Sequence, residues 1–341
     1  MDTSQSRYSR QIKFAAIGAD GQSLIARSKV LVCGCGALGS LIAERLVRAG
    51  VGSLRIVDRD WVELSNLQRQ TLFTEADARA SVPKALAAAE ALDKVNSEVL
   101  IEPVVEDLSY LNFREHAAGC DLILDGTDNF ETRFLINDYC VQNQVPWVHG
   151  GCLGASGQIL AILPGETACF RCLIPELPPR EVLETCDSAG VLGPAIGIIA
   201  SWQTLEAIKI LSGNLKAVCR GLIVFDGWNN DCRIVQLPRN AACEACQKAV
   251  FPFLTGQIRT ETTILCGKNA VQIESPMAKS ESLAQVALKL QGLGELVTNN
   301  YFVRLKLPKH TVTIFHGGRT IVEGTTSASE ARTLLSQTLG G

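Results

Sequence analysis

Residues 30–60 read VLVCGCGALGSLIAERLVRAGVGSLRIVDRD, and this stretch decides the fold. It predicts a buried strand, a turn with Gly34, Gly36 and Gly39 at G-x-G-x-x-G spacing, an amphipathic helix, and a second strand ending at Asp58. Such glycines bring phosphate oxygens close to backbone N–H groups at a helix start, and an acid after the next strand accepts hydrogen bonds from ribose hydroxyls. The stretch therefore predicts a nucleotide site, and its chemistry suits NAD and ATP equally well.

Strand and helix patterns alternate on both sides of this stretch. We predict strands at 29–34, 53–58, 100–106, 120–128 and 146–154, and helices at 39–50, 83–96 and 129–144. This alternation predicts an α/β fold with a doubly wound, Rossmann-like, mostly parallel sheet and a ligand site at the carboxyl ends of its strands. Residues 154–167 have the glycine and serine content of a hairpin, which would make the sheet partly mixed.

The pattern changes after residue 250, so we predict one domain at 1–250 and a smaller one at 251–341. In the second domain we predict one early strand at 262–266, a helix at 282–292, strands at 301–307, 310–316 and 319–324, and a last helix at 327–338. This order predicts a small C-terminal α+β domain.

Composition limits the class of protein. The 341 residues are 47% hydrophobic and 20% charged, as in a folded soluble protein, and the net charge of −3 provides no basic field for nucleic acid. The N-terminus lacks the apolar core of a signal peptide, and no apolar run is long enough to span a membrane, so we predict a cytoplasmic protein without a membrane partner. Its 13 cysteines are then core thiols, metal ligands or nucleophiles rather than disulfides.

Cations beside the glycine turn favour ATP over NAD. Asn66 and Arg69 follow the second strand in a polar segment, and Lys84 comes soon after them. Two cations suit a triphosphate better than a pyrophosphate diester, because the charge to be neutralised is larger and grows on the leaving group.

Acids after a later strand predict a metal ion. Asp125 and Asp128 stand at the end of the 120–128 strand and are expected to face the same crevice. Carboxylates there would repel a nucleotide unless Mg²⁺ lay between them, and Asp128 is the better candidate ligand. Asp128 has an alternative role as the cap of the helix that starts at Asn129.

Paired cysteines predict a second metal site. Cys169 with Cys172, and Cys243 with Cys246, form two C-x-x-C motifs. Four thiolates close a tetrahedron around Zn²⁺ and leave no open position, which is typical of a structural site. The alternative is four independent thiols.

Motifs within residues 7–250 occur in the order and approximate spacing of a known family. They are RYSRQI, GCGALGS, DRDWVELSNLQRQ, DGTDNFETR, CFRC, TCDSAGVLGP and CEAC. The chain is similar to the ThiF/MoeB/HesA family, the bacterial relatives of ubiquitin-activating enzymes. The resemblance implies ATP-dependent adenylation of the C-terminal glycine of a small ubiquitin-like sulfur-carrier protein with a Gly-Gly tail, with release of pyrophosphate. It also implies a homodimer.

The resemblance assigns roles residue by residue. Asp58 resembles the acid that binds the ribose, Arg69 and Lys84 resemble phosphate ligands, and Asp128 resembles the acid that binds Mg²⁺. Arg10 resembles the arginine that reaches into the partner subunit's nucleotide site. The remaining residues of the predicted nucleotide site are Gly34, Gly36, Gly39, Asn66 and Asn129.

Cys186 is the cysteine most like a nucleophile. It lies in PPREVLETCDSAGV, a loop with proline and acids, where a thiol is accessible. A thiol or persulfide transfer after adenylation would use it. The alternative is a loop thiol without a role.

His149 precedes Gly150 and Gly151, and we expect it to pack rather than react.

Two rival functions remain at this point. One is an NAD-dependent oxidoreductase, which is disfavoured because no proton-relay pair is evident beside a hydride site. The other is a catalytically inactive scaffold of the same fold, which is disfavoured because every expected catalytic position is filled.

The sequence leaves the carrier and its pathway open among thiamine, molybdopterin, tRNA thiolation and conjugation. The sulfur donor is also open. Residues 251–341 end in Gly340-Gly341, the kind of tail that such enzymes adenylate on their carriers. A glycine end to the last helix is the competing interpretation. The domain is expected to open with one strand, whereas a carrier would open with a hairpin, so we favour docking of a partner or dimer stabilisation.

Overall fold

The computed structural model describes residues 7–179, 189–259, 263–265, 269–274, 281–315 and 318–339. Its contacts divide the chain into two units, Met1–Ile258 and Arg259–Gly341. Each unit has its own sheet. Among the residues described, no helix combines the length and apolar character needed to cross a membrane.

The first unit alternates strands and helices. Its helices are α1 (Ser9–Ile12), α2 (Gly18–Ile25), α3 (Ala37–Ala49), α4 (Glu75–Ala80), α5 (Lys84–Asp93), α6 (Phe113–Ala117), α7 (Phe130–Asn143), α8 (Phe170–Leu173) and α9 (Gly193–Leu211). Its strands are β1 (Lys29–Cys33), β2 (Ser53–Val57), β3 (Leu100–Val104), β4 (Leu122–Asp125), β5 (Trp147–Leu153), β6 (Ser156–Ile162), β7 (Leu222–Asp226) and β8 (Asp231–Val235). Residues 30–60 thus fold as predicted, and Gly50 ends α3 in the left-handed region.

These strands form one eight-stranded sheet in the order β3-β2-β1-β4-β5-β6-β7-β8. Neighbours from β3 to β5 are parallel. From β5 to β8 they are antiparallel. The predicted doubly wound, mostly parallel and partly mixed sheet is confirmed. Because the strand order reverses between β1 and β4, a crevice opens at the carboxyl ends of these strands, where such folds bind ligands.

Helices cover both faces of the sheet, as the alternating residues of β1 show. Val30 and Val32 pack in one core with side chains of α3, α5 and α9. Leu31 and Cys33 pack in the other core with side chains of α6, α7 and α8. This period of two residues buries β1 on both sides and fixes the loop that follows it.

The second unit confirms the predicted small α+β domain. Its strands are β9 (Thr263–Leu265), β10 (Ala270–Glu274), β11 (Glu295–Thr298), β12 (Phe302–Lys306), β13 (Thr311–Phe315) and β14 (Arg319–Glu323), and its helices are α10 (Leu283–Leu290) and α11 (Ala328–Leu339). The sheet order is β11-β12-β13-β14-β10-β9, with antiparallel neighbours throughout. The prediction of a single early strand was wrong, because β9 and β10 pair with each other.

Candidate active site

The glycine turn after β1 packs directly against the loop after β4. Gly34 has a φ of +84°, and a Cβ there would lie 2.8 Å from the carbonyl oxygen of Gly126. A Cβ on Gly39 would lie 1.9 Å from the carbonyl oxygen of Gly34. Only glycine fits these two positions without a backbone shift. Gly126 was missed in the sequence, although it follows β4 as directly as Gly34 follows β1.

Gly36 differs from its neighbours because the space beside it is open. The nearest atom to a Cβ built there is Nε2 of Gln70, 4.0 Å away. Gly36 precedes the first turn of α3, whose backbone N–H groups have no partner within the helix. This arrangement suits an anion such as a phosphate.

Asp58 connects the end of β2 to the glycine turn. Its Oδ2 accepts a hydrogen bond of 2.6 Å from the N–H of Cys35, and its Oδ1 accepts one of 2.7 Å from the N–H of Asp60. Burial raises the pKa of Asp58, while Lys84 and the two N–H groups oppose that rise. Each oxygen keeps a second lone pair with which to accept a hydrogen bond from a ligand.

Lys84 reaches the same place from the start of α5. Its backbone N–H donates to the carbonyl oxygen of Asp60 at 2.8 Å, and its Nζ lies 3.4 Å from Oδ2 of Asp60. Burial lowers the pKa of Lys84, but Asp60, Asp58 and Asp128 raise it by more. The ammonium group is therefore charged at neutral pH.

Arg59 is a further cation beside the crevice and was not predicted from the sequence. Its Nη1 lies 2.9 Å from Oδ2 of Asp107, and its Nε lies 3.9 Å from Oδ1 of Asp60. Burial lowers its pKa, and Asp107, Asp60 and Asp128 raise it by more. Its position between the two acids that follow β2 is the signal that could have found it.

Asn66 and Arg69 lie on the segment that follows β2. Asn66 is buried, and its Oδ1 accepts a hydrogen bond of 3.1 Å from the N–H of Glu63, which fixes the turn. Arg69 is half-buried, and its Nη1 donates to the carbonyl oxygen of Ser65 at 3.0 Å. The start of α9 packs on this segment, since a Cβ on Gly193 would lie 3.1 Å from the carbonyl oxygen of Gln68.

Asp128 is exposed and stands before Asn129. The helix cap is Asn129, whose Oδ1 accepts a hydrogen bond of 2.8 Å from the N–H of Thr132. The alternative in which Asp128 caps that helix is therefore wrong, because α7 begins one residue later than predicted. Asp128 raises the pKa of both Lys84 and Arg59, so its carboxylate lies within electrostatic reach of both cations.

Asp125 does not face the crevice as expected. It is fully buried, and its Oδ2 lies 3.0 Å from Nε of Arg133 and 2.7 Å from Nδ1 of His149. Burial raises the pKa of Asp125, but Arg133 and His149 lower it by more, so the carboxylate is ionised. Burial lowers the pKa of His149. His149 packs in the protein interior, as predicted from the sequence.

We call the space between the Gly34–Gly36 turn, Asp58, Lys84 and the Gly126–Asp128 loop the switch-point crevice.

Arg10 lies far from the switch-point crevice of its own chain. The N-terminal segment is held by Gln11, whose Nε2 donates to the carbonyl oxygen of Ala49 at 3.0 Å. It is also held by Tyr8, whose hydroxyl accepts a hydrogen bond of 2.8 Å from Nδ2 of Asn96.

Ala49 and Asn96 precede β2 and β3, so this anchor lies at the amino ends of the strands. The 5 residues of β2 separate the anchor from Asp58. At about 3.3 Å per residue this strand spans about 16 Å, more than an arginine side chain covers. Arg10 itself is exposed.

The four predicted metal ligands come together as one cluster. The Sγ atoms of Cys169, Cys172, Cys243 and Cys246 all lie within 4.8 Å of one another. The Sγ of Cys169 lies 3.8 Å from that of Cys172 and 3.6 Å from that of Cys243, and the Sγ atoms of Cys172 and Cys246 are 3.5 Å apart. The backbone N–H of Asn240 also donates to the Sγ of Cys172, at 3.4 Å.

Two predicted features lie outside the described residues. Cys186 is in the segment 180–188, and Gly340-Gly341 are the last two residues. Their expected roles therefore stay predictions.

The fold and the crevice define a nucleotide-binding protein of the doubly wound α/β class, with a separate four-cysteine cluster. The comparison with family models makes this specific, because the ThiF family model matches residues 8–245. The chain belongs to the ThiF family.

Curated relatives agree with this assignment. The sulfur carrier protein ThiS adenylyltransferase of Bacillus subtilis is 38% identical over 338 residues, which cover 98% of this chain and 99% of the relative. The adenylyltransferase and sulfurtransferase MOCS3 of Danio rerio is 40% identical over 70% of this chain. This chain covers only 52% of that MOCS3, and 63% of the one from Anopheles gambiae.

Solved structures share the fold. Escherichia coli MccB crystallised with ATP has a TM-score of 0.62 and 21% identity, over 70% of this chain and 74% of that one. PaaA has a TM-score of 0.59 and 22% identity, over 70% of this chain and 84% of that one.

Proposed function

We propose that the protein is an ATP-dependent adenylyltransferase that acts on the C-terminal glycine of a small ubiquitin-like sulfur carrier of the ThiS type. A carboxylate oxygen of that glycine attacks the α-phosphorus of ATP, the bond between the α-phosphorus and the bridging oxygen breaks, and pyrophosphate leaves. The products are an acyl-adenylate on the carrier and free pyrophosphate. Family membership and the ThiS adenylyltransferase relative, similar over nearly its whole length, support this proposal.

The observation that carries the proposal is the charge arrangement of the switch-point crevice. Lys84 and Arg59 are cations beside Asp58, and the exposed Asp128 lies within electrostatic reach of both. Cations of this kind neutralise the charge that grows on pyrophosphate as it leaves. Hydride transfer from NAD needs neither an exposed acid nor paired cations, so adenylation is the better match.

The crevice fits ATP with Mg²⁺. The open side of Gly36 and the start of α3 suit phosphates, and Asp58 suits the ribose hydroxyls. Asp128 provides an exposed carboxylate oxygen, the ligand type that Mg²⁺ takes together with phosphate oxygens. When bound, Mg²⁺ would neutralise phosphate charge. Arg69 and Lys84 would hold the phosphates in line for attack.

We further propose a homodimer in which Arg10 of each subunit completes the site of the other. The hydrogen bonds of Tyr8 and Gln11 anchor the N-terminal segment and leave Arg10 exposed at the amino ends of the strands. The switch-point crevice is at the carboxyl ends, out of reach of Arg10 in the same chain, which supports a role for Arg10 in the crevice of a second copy.

The four-cysteine cluster fits zinc. Four sulfurs at the Zn–S distance of about 2.3 Å form a tetrahedron with edges of about 3.8 Å. The observed Sγ separations of 3.5, 3.6 and 3.8 Å are close to that value. With all four ligands from the protein, zinc here would stabilise the fold and take no part in the chemistry.

Exchange of labelled pyrophosphate into ATP tests the proposed function. We expect exchange only when ATP, Mg²⁺ and a ThiS-type carrier ending in Gly-Gly are all present. A carrier without its last two glycines is the matched control and should give none, because the attacking carboxylate is out of place. Tight binding of NAD without any carrier-dependent exchange would instead support the oxidoreductase.

A further inference from the structure

A buried ionic cluster lies directly behind the loop that carries Asp128. We call Asp125, Thr127, Arg133 and His149 the Asp125 cluster. The Asp125 carboxylate has four donors: the N–H and hydroxyl of Thr127 on Oδ1, at 2.9 and 2.7 Å, and Arg133 and His149 on Oδ2, at 3.0 and 2.7 Å. A buried carboxylate with this many donors has a fixed orientation.

Thr127 is held by all three of its polar groups. Its N–H and hydroxyl donate to Asp125, and its carbonyl oxygen accepts a hydrogen bond of 2.7 Å from Nη2 of Arg133. Arg133 thus connects the Asp125 side chain to the Thr127 backbone. Asp128 is the next residue, and its side chain accepts no hydrogen bond from any residue that the structure describes. Hydrogen bonds to Asp125 and Arg133 fix the backbone of this loop, and the carboxylate of Asp128 is left available to a ligand.

The charges of the cluster balance. Asp125 is fully buried and Arg133 is 9% exposed, so each charge has the other as its near partner. The side-chain amide of Gln203, from α9, donates to the Asp125 carbonyl oxygen at 2.9 Å and ties the cluster to the opposite core. Removing one charged partner would leave the other buried and unpaired.

We propose that Asp125 and Arg133 are positioning residues that act through Thr127 to aim Asp128 at the metal–nucleotide complex. This inference rests on the proposed function, since it assigns Asp128 to Mg²⁺–ATP. A carboxylate ligand must be held to within about 0.5 Å to be effective, and an exposed loop acid reaches that precision only when its backbone is fixed. The polar contacts described above join Asp125 and Arg133 to one another and to Thr127, so their proposed effect on Asp128 is indirect.

The Thr127 hydroxyl is the part of the cluster that can be removed without unpairing a charge. Thr127→Val keeps the shape and the ion pair but deletes one donor to Asp125, and Thr127→Ser restores that donor. Calorimetric titration of ATP at several Mg²⁺ concentrations measures the apparent affinity for Mg²⁺. We expect Thr127→Val to need about threefold to tenfold more Mg²⁺, while Thr127→Ser stays near wild type.

Arg133→Lys provides a second variant in case the first fails to fold. It keeps the positive charge, but one ammonium cannot bridge the Asp125 carboxylate and the Thr127 carbonyl oxygen as the planar guanidinium does. The same increase in the Mg²⁺ requirement is expected. The matched control is Thr204→Val, because among the residues that the structure describes this buried hydroxyl bonds only within its own helix, to the carbonyl oxygen of Ala200 at 2.8 Å.

An unchanged Mg²⁺ requirement in Thr127→Val and Arg133→Lys would overturn the inference. So would an equal shift in Thr204→Val, or ATP binding to the wild-type protein that does not depend on Mg²⁺. These titrations involve no carrier. Mg²⁺-dependent ATP binding without carrier adenylation would therefore refute the proposed function and leave the positioning role standing.

Discussion

The switch-point crevice and the four-cysteine cluster belong to the same unit but differ in what they leave open. In the crevice, Asp58 is fixed by backbone N–H groups while the side of Gly36 is open and Asp128 is exposed. In the cysteine cluster, the four Sγ atoms all lie within 4.8 Å of one another, and Cys169 and Cys243 are buried. A cluster of polar side chains can therefore support a reaction only where a substrate can still reach it.

The two regions also differ in what holds them together. Hydrogen bonds and ion pairs of the protein itself hold the crevice, for example Lys84 with Asp60. The cysteine cluster joins residues 169–172 to residues 243–246, and its four thiolates would repel one another without a cation. The crevice is thus preformed, whereas the cluster is expected to depend on a bound zinc ion.

Metal removal should have the largest effect on stability. We expect one zinc per chain, and stripping it with a chelator should lower the melting temperature by about 10 °C or more, because binding free energy at a structural site is folding free energy. Elemental analysis and thermal unfolding measure both quantities. Protein purified without chelator that contains no zinc would contradict the assignment.

Mixing two inactive variants tests whether two subunits share the switch-point crevice. Arg10→Ala and Lys84→Met should each lower pyrophosphate exchange by about 10²–10³-fold, because each removes a cation from the phosphates. If Arg10 acts across the interface, an equal mixture forms heterodimers with one intact site and regains about a quarter of wild-type activity. A mixture as inactive as its components, or an active monomer by light scattering, would refute the shared site.

The stability of the region around the four-cysteine cluster should depend on pH through Asp138, on α7. Burial raises the pKa of Asp138 to about 7, although Arg171 and the N–H of Phe253 oppose the rise. The folded protein then keeps a proton that the unfolded chain, with a pKa near 3.8, has lost. The free energy of unfolding therefore decreases as pH rises from about 4 to about 7, by up to about 1.4 kcal/mol per pH unit.

Asp138→Asn has no such proton and should flatten this dependence. Chemical unfolding of the metal-loaded protein at several pH values between about 5.5 and 7.5 measures the slope of each protein. Identical slopes would show that Asp138 is ionised throughout this range.

Cys186→Ala should have the smallest effect on adenylation. The thiol is predicted to act only after the acyl-adenylate forms, so pyrophosphate exchange should stay at the wild-type rate while transfer of the carrier to a thiol is lost. Mass spectrometry of the carrier–enzyme adduct detects that transfer. Full transfer by the variant would show that Cys186 has no role.

The sequence was most informative where local rules and fold agree. Gly34 and Gly39 could be assigned because only glycine fits a positive φ or so close a backbone contact. The clustering of the four cysteines could be predicted because two C-x-x-C motifs are the spacing typical of a zinc site. The fold class followed from alternating strands and helices.

Prediction from local sequence patterns failed where tertiary contacts determine the structure. No element was predicted for 193–235, which contains α9, β7 and β8. The side chains of β8 are all exposed, so this strand has no apolar alternation to detect. Asp125 looked like a site acid beside Asp128, and only its contacts with Arg133, on the following helix, and His149, on the next strand, show that it is buried and paired.

The most direct test of the difference between the two regions compares Asp128→Asn with metal-stripped wild-type protein, both kept at a temperature at which they remain folded. We expect Asp128→Asn to lose pyrophosphate exchange by about 10²–10³-fold with its melting temperature unchanged, because an exposed acid contributes to chemistry and not to packing. The stripped protein should lose stability but keep most of its exchange rate per folded molecule. Wild-type exchange by Asp128→Asn would contradict the assignment of chemistry to the switch-point crevice.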